Sequence, residues 1–134
     1  MVRSFNVRTP GQGLHEITEL VSVIVRESEI EEGLCTVFIR HTSASLTIQE
    51  NADPSARRDL EMWLNRLVPE GDRDFTHTAE GPDDMPSHIK SILTNVSLSI
   101  PVIEGTLALG TWQGIYIWEH RTRPHTRQIV VHVG

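Results

Sequence analysis

The chain has 134 residues with 12 Lys and Arg, 18 Asp and Glu, seven His and one Cys, a composition that suits one domain with its own core. The single cysteine, Cys35, excludes an internal disulfide and a cysteine-based zinc ribbon. A net charge of −6 gives no general attraction to nucleic acid, and no apolar run approaches the length of a membrane span. The N-terminus lacks the apolar segment of a signal peptide, so we expect a soluble, cytoplasmic domain.

The first half of the chain predicts three strands and two helices. Residues 2–7, 34–39 and 42–49 have the alternating or β-branched apolar pattern of strands. From Glu16 the apolar residues recur at helical spacing, and this helix is expected to end before Gly33. Asp53 and Pro54 predict the N-cap and first position of a second helix. Its expected buried stripe consists of Ala56, Leu60, Trp63, Leu64 and Leu67.

The second half predicts a long loop, a short helix and three strands. Residues 72–86 are polar, and long irregular segments in compact domains are often functional. A helix is expected over residues 86–93, with Ile89, Ile92 and Leu93 facing inward. Strands are expected over residues 96–103, over 106–118 with a break near Gly110, and over 126–133. This order favours an α+β fold with two or three helices and a largely antiparallel sheet.

Four histidines lie at the ends of predicted elements or in the polar loop. They are His41, His77, His88 and His120. Side chains at element ends are well placed to share a pocket, and three imidazoles with an open fourth position form a catalytic zinc arrangement. Their spacing alone is a weak signal, so an ordinary surface or hydrogen-bonding role is the alternative for each. We assign that ordinary role to His15, His125 and His132.

Carboxylates, hydroxyls and cations accompany these histidines in the sequence. Asp84 lies four residues before His88, and it predicts either a helix cap or a carboxylate that orients His88 or binds Mg²⁺. Ser43, Ser45 and Thr47 form a hydroxyl stripe, which is typical of a solvated strand face but also holds phosphate oxygens when a cation is near. The candidate cations are Arg40, Lys90 and Arg121.

Three sequence blocks resemble the YjbQ family, whose members are described as secondary thiamine-phosphate synthases. The blocks cover residues 41–51, 80–91 and 109–115, and the last continues into residues 118–121. The resemblance extends over essentially the whole chain. It implies an α+β sandwich domain that assembles as a homotrimer, with sites near the subunit boundaries.

The resemblance also implies a metal site and a reaction. The implied metal ligands are His77, His88 and His120, and the implied polar surroundings are His41, the serines after it, Asp84 and Glu119. The implied reaction joins a pyrimidine methyl diphosphate to a thiazole phosphate and releases diphosphate. Imidazole ligands favour Zn²⁺ or another transition metal, whereas the departure of diphosphate is usually assisted by Mg²⁺.

Three functions therefore stay open from the sequence. The first is a metal-assisted enzyme that acts on a phosphorylated small molecule. Its candidate catalytic groups are Glu119, Asp84 and His41, and its candidate phosphate-holding groups are Ser43, Ser45, Lys90 and Arg121. The second is a metal-dependent hydrolase with water as the nucleophile, and the third is a trimeric protein that binds metal or phosphate without catalysis. A Glu119 that is free in a pocket favours catalysis, whereas one held in a salt bridge favours binding.

Overall fold

The computed structural model describes residues 1–134 and contains eight strands and three helices. The strands are β1 Val2–Thr9, β2 Gly13–Glu16, β3 Glu32–Ile39, β4 Ala44–Glu50, β5 Ser97–Ile103, β6 Thr106–Leu107, β7 Gln113–Glu119 and β8 His125–Val133. The helices are α1 Thr18–Ser28, α2 Pro54–Leu67 and α3 Asp84–Leu93. All strands pair antiparallel, which confirms the predicted α+β class. None of the helices is both long and apolar enough to cross a membrane.

Two antiparallel sheets and α1 enclose the main hydrophobic core. One sheet has the strand order β1-β8-β3-β5-β6, and the other has the order β2-β7-β4. Val37 on β3, Ile117 on β7 and Val131 on β8 are fully buried in this core, and Val21 of α1 joins them. Cys35 lies there as a free thiol, and burial raises the pKa of Cys35 to about 11.

The other two helices cover the opposite face of the three-stranded sheet. Successive side chains of a strand point to opposite faces, so Tyr116 and Trp118 leave the main core that Ile117 enters. They form a smaller buried cluster with Leu14 of β2 and Leu64 of α2. This packing places α2 and α3 beside the ends of β4 and β7, where the predicted site residues lie.

Helix α2 starts where the sequence predicts, whereas helix α3 does not. The Asp53 carboxylate accepts a hydrogen bond from the Ser55 amide at 2.9 Å, and Pro54 is the first helical residue, as predicted. Helix α3 begins two residues earlier than expected, at Asp84. Asp83 takes the N-cap position without a capping side-chain bond. The capping role considered for Asp84 is therefore wrong.

The expected inward stripes of α2 and α3 are partly wrong. Trp63 is 53% exposed and Leu67 is 54% exposed, while Leu64 alone is buried on α2. Ile92 is 80% exposed and Leu93 is 56% exposed on α3. Only part of the apolar face of each helix packs against the three-stranded sheet. Helical spacing therefore identified the helices but not the width of the surface against which they pack.

The short strand β2 escaped prediction. Its four residues precede α1 and pair with β7, with Leu14 opposite Trp118. A segment this short carries too few alternations to stand out from the start of the helix that follows it. At its first residue, Gly13, φ is 131°, and a Cβ there would meet the Glu61 carboxylate at 2.8 Å. Only glycine fits this position without moving Glu61.

Candidate functional site

Three of the predicted site residues come together at the start of α3. The ligand atoms of His77, Asp84 and His88 all lie within 4.8 Å of one another, and we call them the His77–Asp84–His88 cluster. Asp84 Oδ2 lies 2.8 Å from His77 Nε2 and 3.4 Å from His88 Nε2. Asp84 and His88 share a helix face because they are four residues apart, and His77 comes from the preceding loop. Two imidazoles and a carboxylate at this spacing are a donor set that can hold a transition metal.

Hydrogen bonds behind the cluster orient its side chains. His88 Nδ1 lies 2.9 Å from the Thr42 carbonyl oxygen. Since a carbonyl only accepts, Nδ1 carries a proton and Nε2 is the ring nitrogen that faces Asp84. Asp84 is almost fully buried, and its other oxygen accepts from Arg121 Nη1 at 2.8 Å. Burial opposes its ionisation, but the hydrogen bond with His77 and the charge of Arg121 hold the pKa of Asp84 below its ordinary value.

Arg121 ties the polar loop to the start of α3. Its Nε donates to Asp83 at 3.0 Å, its Nη1 donates to Asp84, and its Nη2 donates to the Glu80 carbonyl at 2.8 Å. The guanidinium is thus neutralised by two carboxylates. Arg121 therefore positions the His77–Asp84–His88 cluster. The contact between Arg121 and phosphate, expected from the sequence, stays a prediction.

Glu119 is fully buried in an ion pair with Arg127. Arg127 donates to both carboxylate oxygens of Glu119, and the Thr9 hydroxyl and the Arg121 amide donate to it as well. Burial opposes ionisation, but these hydrogen bonds hold the pKa of Glu119 below its ordinary value. Arg127 also donates to the Ser43 hydroxyl at 3.0 Å. Glu119 is therefore in the salt-bridged state that favours binding over catalysis by this carboxylate.

Arg127 was missed at the sequence level, although a signal for it exists. It lies on β8 in alternation with Ile129, Val131 and Val133, all of which are fully buried. A charged residue at an inward position of an apolar strand needs a buried partner of opposite charge. That partner is Glu119, the last residue of β7, which lies eight residues earlier in the chain.

His41 borders an open groove beside the His77–Asp84–His88 cluster. Its Nε2 accepts a hydrogen bond from the Gln128 amide at 2.8 Å, and burial and the Arg127 charge lower the pKa of His41. The groove has a volume of about 560 Å³. His88 and the exposed Ile92 also line it. The groove gives a small molecule access to one side of the cluster.

His120 lies outside the His77–Asp84–His88 cluster. Its ring is 1% exposed, and its Nε2 lies 2.9 Å from the Ser45 hydroxyl, which is itself fully buried rather than solvated. The ring lines a separate cavity of about 60 Å³ together with Lys90, and we call this the Lys90 cavity. Two residues apart on a helix, His88 and Lys90 point to opposite sides of α3. The structure therefore brings together two of the three predicted imidazole ligands and places the third on the far side of the helix.

We predict that His120 makes the fold sensitive to acid. Burial lowers the pKa of His120 from 6.5 to about 3, so between these values the unfolded chain binds a proton that the folded chain does not. Stability should therefore fall as the pH drops from 6.5 towards 3, by up to about 1.4 kcal/mol per pH unit from this group. In His120→Asn, urea unfolding at a series of pH values should show a shallower fall than in the unchanged chain. The matched variant of an exposed histidine, His132→Asn, should keep the full slope, and an unchanged slope in His120→Asn would contradict the prediction.

Proteins of one family resemble this chain over nearly its whole length. The family model described as UPF0047 protein YjbQ-like matches residues 3–134. UPF0047 protein sll1880 from Synechocystis sp. is 53% identical over 128 residues, which are 96% of this chain and 87% of that protein. UPF0047 protein YjbQ from Escherichia coli O157:H7 is 40% identical over 129 residues, 96% of this chain and 93% of that protein.

Solved structures show the same fold. The crystal structure of a YjbQ/UPF0047 family protein from Clostridium acetobutylicum superposes with a TM-score of 0.87 at 37% identity, and the match covers 100% of this chain and 99% of that one. The crystal structure of APE1520 from Aeropyrum pernix K1 gives a TM-score of 0.90 at 25% identity, covering 100% and 98% of the two chains. The chain belongs to the YjbQ/UPF0047 family.

Proposed function

We propose that the chain is a divalent-metal-dependent enzyme that acts on a phosphorylated small molecule, with the metal held by His77, Asp84 and His88. One observation carries this proposal. The Thr42 carbonyl holds a proton on His88 Nδ1, so Nε2 is the nitrogen that faces Asp84 Oδ2, 3.4 Å away, and the ligand atoms of all three residues lie within 4.8 Å of one another. A divalent cation among these atoms would be attracted by the carboxylate and bound by the imidazole nitrogens.

The donor set argues for the class of metal. Two imidazole nitrogens and one carboxylate oxygen suit Zn²⁺ or another transition metal, whereas Mg²⁺ prefers oxygen ligands throughout. Three protein ligands leave a position open for water or substrate. When bound, such a metal supplies Lewis acidity to a phosphate oxygen or lowers the pKa of a bound water.

The chain's own residues prepare the cluster for an anionic substrate. Asp83, Asp84 and Arg121 together carry a net charge of −1, which a divalent cation changes to +1. Arg121 holds Asp84 in place, and the Thr42 carbonyl holds the ring of His88. This support fixes the ligands before substrate arrives, and the adjoining groove admits the substrate from the side of His88.

A second candidate function is binding of the phosphorylated molecule without turnover. The observation that favours it is the buried pairing of Glu119 with Arg127, which removes this carboxylate as a free base. A hydrolase would not need Glu119 as a nucleophile, because a metal held by His77, Asp84 and His88 could activate water. A metal at the His77–Asp84–His88 cluster would also assist the synthase reaction that the family resemblance implies. In that reaction, diphosphate departs from a pyrimidine methyl diphosphate.

Metal binding is the first prediction of the proposal. The purified chain loaded with Zn²⁺ should retain about one metal ion per chain, measured by elemental analysis after dialysis. His88→Ala should lower the affinity by more than about tenfold, because it removes one ligand and leaves Asp84 held by Arg121. His132→Ala, which changes an exposed histidine far from the cluster, should retain the metal. Equal metal retention in His88→Ala and in the unchanged chain would show that the cluster is not the site.

Turnover separates the proposed enzyme from the binding protein. The metal-loaded chain is incubated with the pyrimidine methyl diphosphate and the thiazole phosphate, and separately with a panel of phosphomonoesters. We expect product formation that needs the metal and is lost in His88→Ala. No product above His88→Ala from the two thiamine precursors excludes the synthase reaction, and no metal-dependent release of phosphate from the panel excludes the hydrolase. A ligand that raises the melting temperature without turnover supports the binding protein.

We also propose that the chain assembles as a homotrimer. Ile92, Leu93 and Val96 are exposed by 80%, 56% and 42%, and two of them line the groove shared by His41 and His88. Contiguous exposed apolar side chains of this kind mark surfaces that other proteins cover. A trimer contact here places the candidate site beside a subunit boundary.

The trimer is tested by size-exclusion chromatography with light scattering. The expected mass is three times that of the 15.1 kDa chain. Ile92→Asp should shift the protein towards smaller species because it places a charge in the apolar contact, whereas Val23→Asp on the exposed side of α1 should leave the mass unchanged. A monomer mass for the unchanged chain would rule out the trimer.

A further inference from the structure

Lys90 is a buried cation that has no carboxylate partner. Its side chain is 4% exposed, and its ammonium donates to the Asn65 amide oxygen at 2.5 Å. None of the six ion pairs in the chain includes Lys90. A buried ammonium without a counter-ion destabilises the fold, and a bound anion relieves this cost.

The Lys90 cavity offers further polar groups to an anion. The ring of His120 lines it, and with Nε2 engaged by Ser45, the second ring nitrogen, Nδ1, has no protein partner. The side-chain amides of Gln12 and Asn65 line it as well. Its volume of about 60 Å³ compares with the roughly 10–15 Å³ that one water needs on the same scale. The cavity thus holds a group of a few heavy atoms and excludes a large ligand.

Glu61 forms the wall that restricts which anion fits. One oxygen of its carboxylate accepts from the Leu14 amide at 2.8 Å, and the other has no protein hydrogen bond. The carboxylate reaches this place because Gly13 has no Cβ to displace it. It lies more than 4.0 Å from the Lys90 ammonium, across the cavity. An ionised carboxylate repels a fully deprotonated anion, but it accepts a hydrogen bond from an anion that carries its own O–H.

We propose that the Lys90 cavity binds a free hydrogen phosphate ion and rejects sulfate. Lys90 binds the negative oxygens, His120 Nδ1 makes one further hydrogen bond, and Glu61 accepts from the phosphate hydroxyl. The site lies across α3 from the His77–Asp84–His88 cluster and uses none of its residues. It therefore binds phosphate without a metal, independently of the proposed enzyme function.

The test is titration of the metal-free full chain with inorganic phosphate by isothermal calorimetry. Removing the metal first prevents phosphate from binding at the cluster. We expect one phosphate per chain, and sulfate bound at least about tenfold more weakly. Lys90→Met, which keeps most of the length of the side chain and removes its charge, should weaken phosphate binding by at least about tenfold. Glu61→Gln should keep phosphate binding and gain sulfate binding, because the amide no longer repels the deprotonated ion.

Thermal unfolding distinguishes a loss of phosphate binding from poor folding of a variant. Lys90→Met removes an unpaired buried charge, so its thermal midpoint in phosphate-free buffer should equal or exceed that of the unchanged chain. Phosphate should raise the midpoint of the unchanged chain but not that of Lys90→Met. Methyl phosphate, whose dianion has no O–H to donate to Glu61, should bind more weakly than inorganic phosphate at neutral pH, and equal affinity would contradict the proposed role of Glu61.

Two results would overturn this inference. One is phosphate binding by Lys90→Met as tight as that by the unchanged chain. The other is equal affinity of the unchanged chain for sulfate and phosphate. His88→Ala should bind phosphate normally in the metal-free state, so failure of the metal proposal leaves this result unaffected.

Discussion

The buried ion pair between Glu119 and Arg127 is the interaction on which the geometry of the candidate site depends. It lies where the ends of β7 and β8 meet, and it reaches β1 through Thr9 and the start of β4 through Ser43. Glu119 also accepts from the amide of Arg121, so the pair fixes the strand end from which Arg121 projects. Breaking a buried pair of this kind costs about 3–5 kcal/mol, whereas a surface pair is worth at most about 1 kcal/mol. The site thus rests on an electrostatic contact that water cannot screen.

Helix α3 divides the polar side chains into two places with different chemistry. Asp84 and His88 face the loop residue His77, where two imidazoles and a carboxylate form a donor set for a cation. Lys90 faces the other way, into a cavity where its ammonium donates to the neutral amide of Asn65 and has no carboxylate partner. One short helix can serve both because residues two apart on it project about 200° from each other. The proposed metal and the proposed phosphate ion would therefore bind on opposite sides of α3.

The sequence predicted the fold better than the site. Alternation along β8, the helical spacing in α1 and the Asp53–Pro54 helix start each depend on neighbours in the chain, and each was found in the structure. The four residues of β2 were missed because their strand character exists only through pairing with β7. The exposure of Ile92 was missed because helical spacing does not reveal how wide a surface the helix meets. Arg127 was missed because its importance comes from a buried partner on another strand.

By itself the sequence determined the elements and the residue types available for chemistry. With one cysteine, any transition-metal site had to use imidazole and carboxylate, and the i, i+4 spacing of Asp84 and His88 put two such groups on one helix face. Only the tertiary structure decided which histidines meet. In the fold, His77 lies beside that pair, His120 lines the Lys90 cavity, and Glu119 forms an ion pair with Arg127. The reason is physical: local spacing sets direction within one element, whereas distance between elements depends on how the sheets and helices pack.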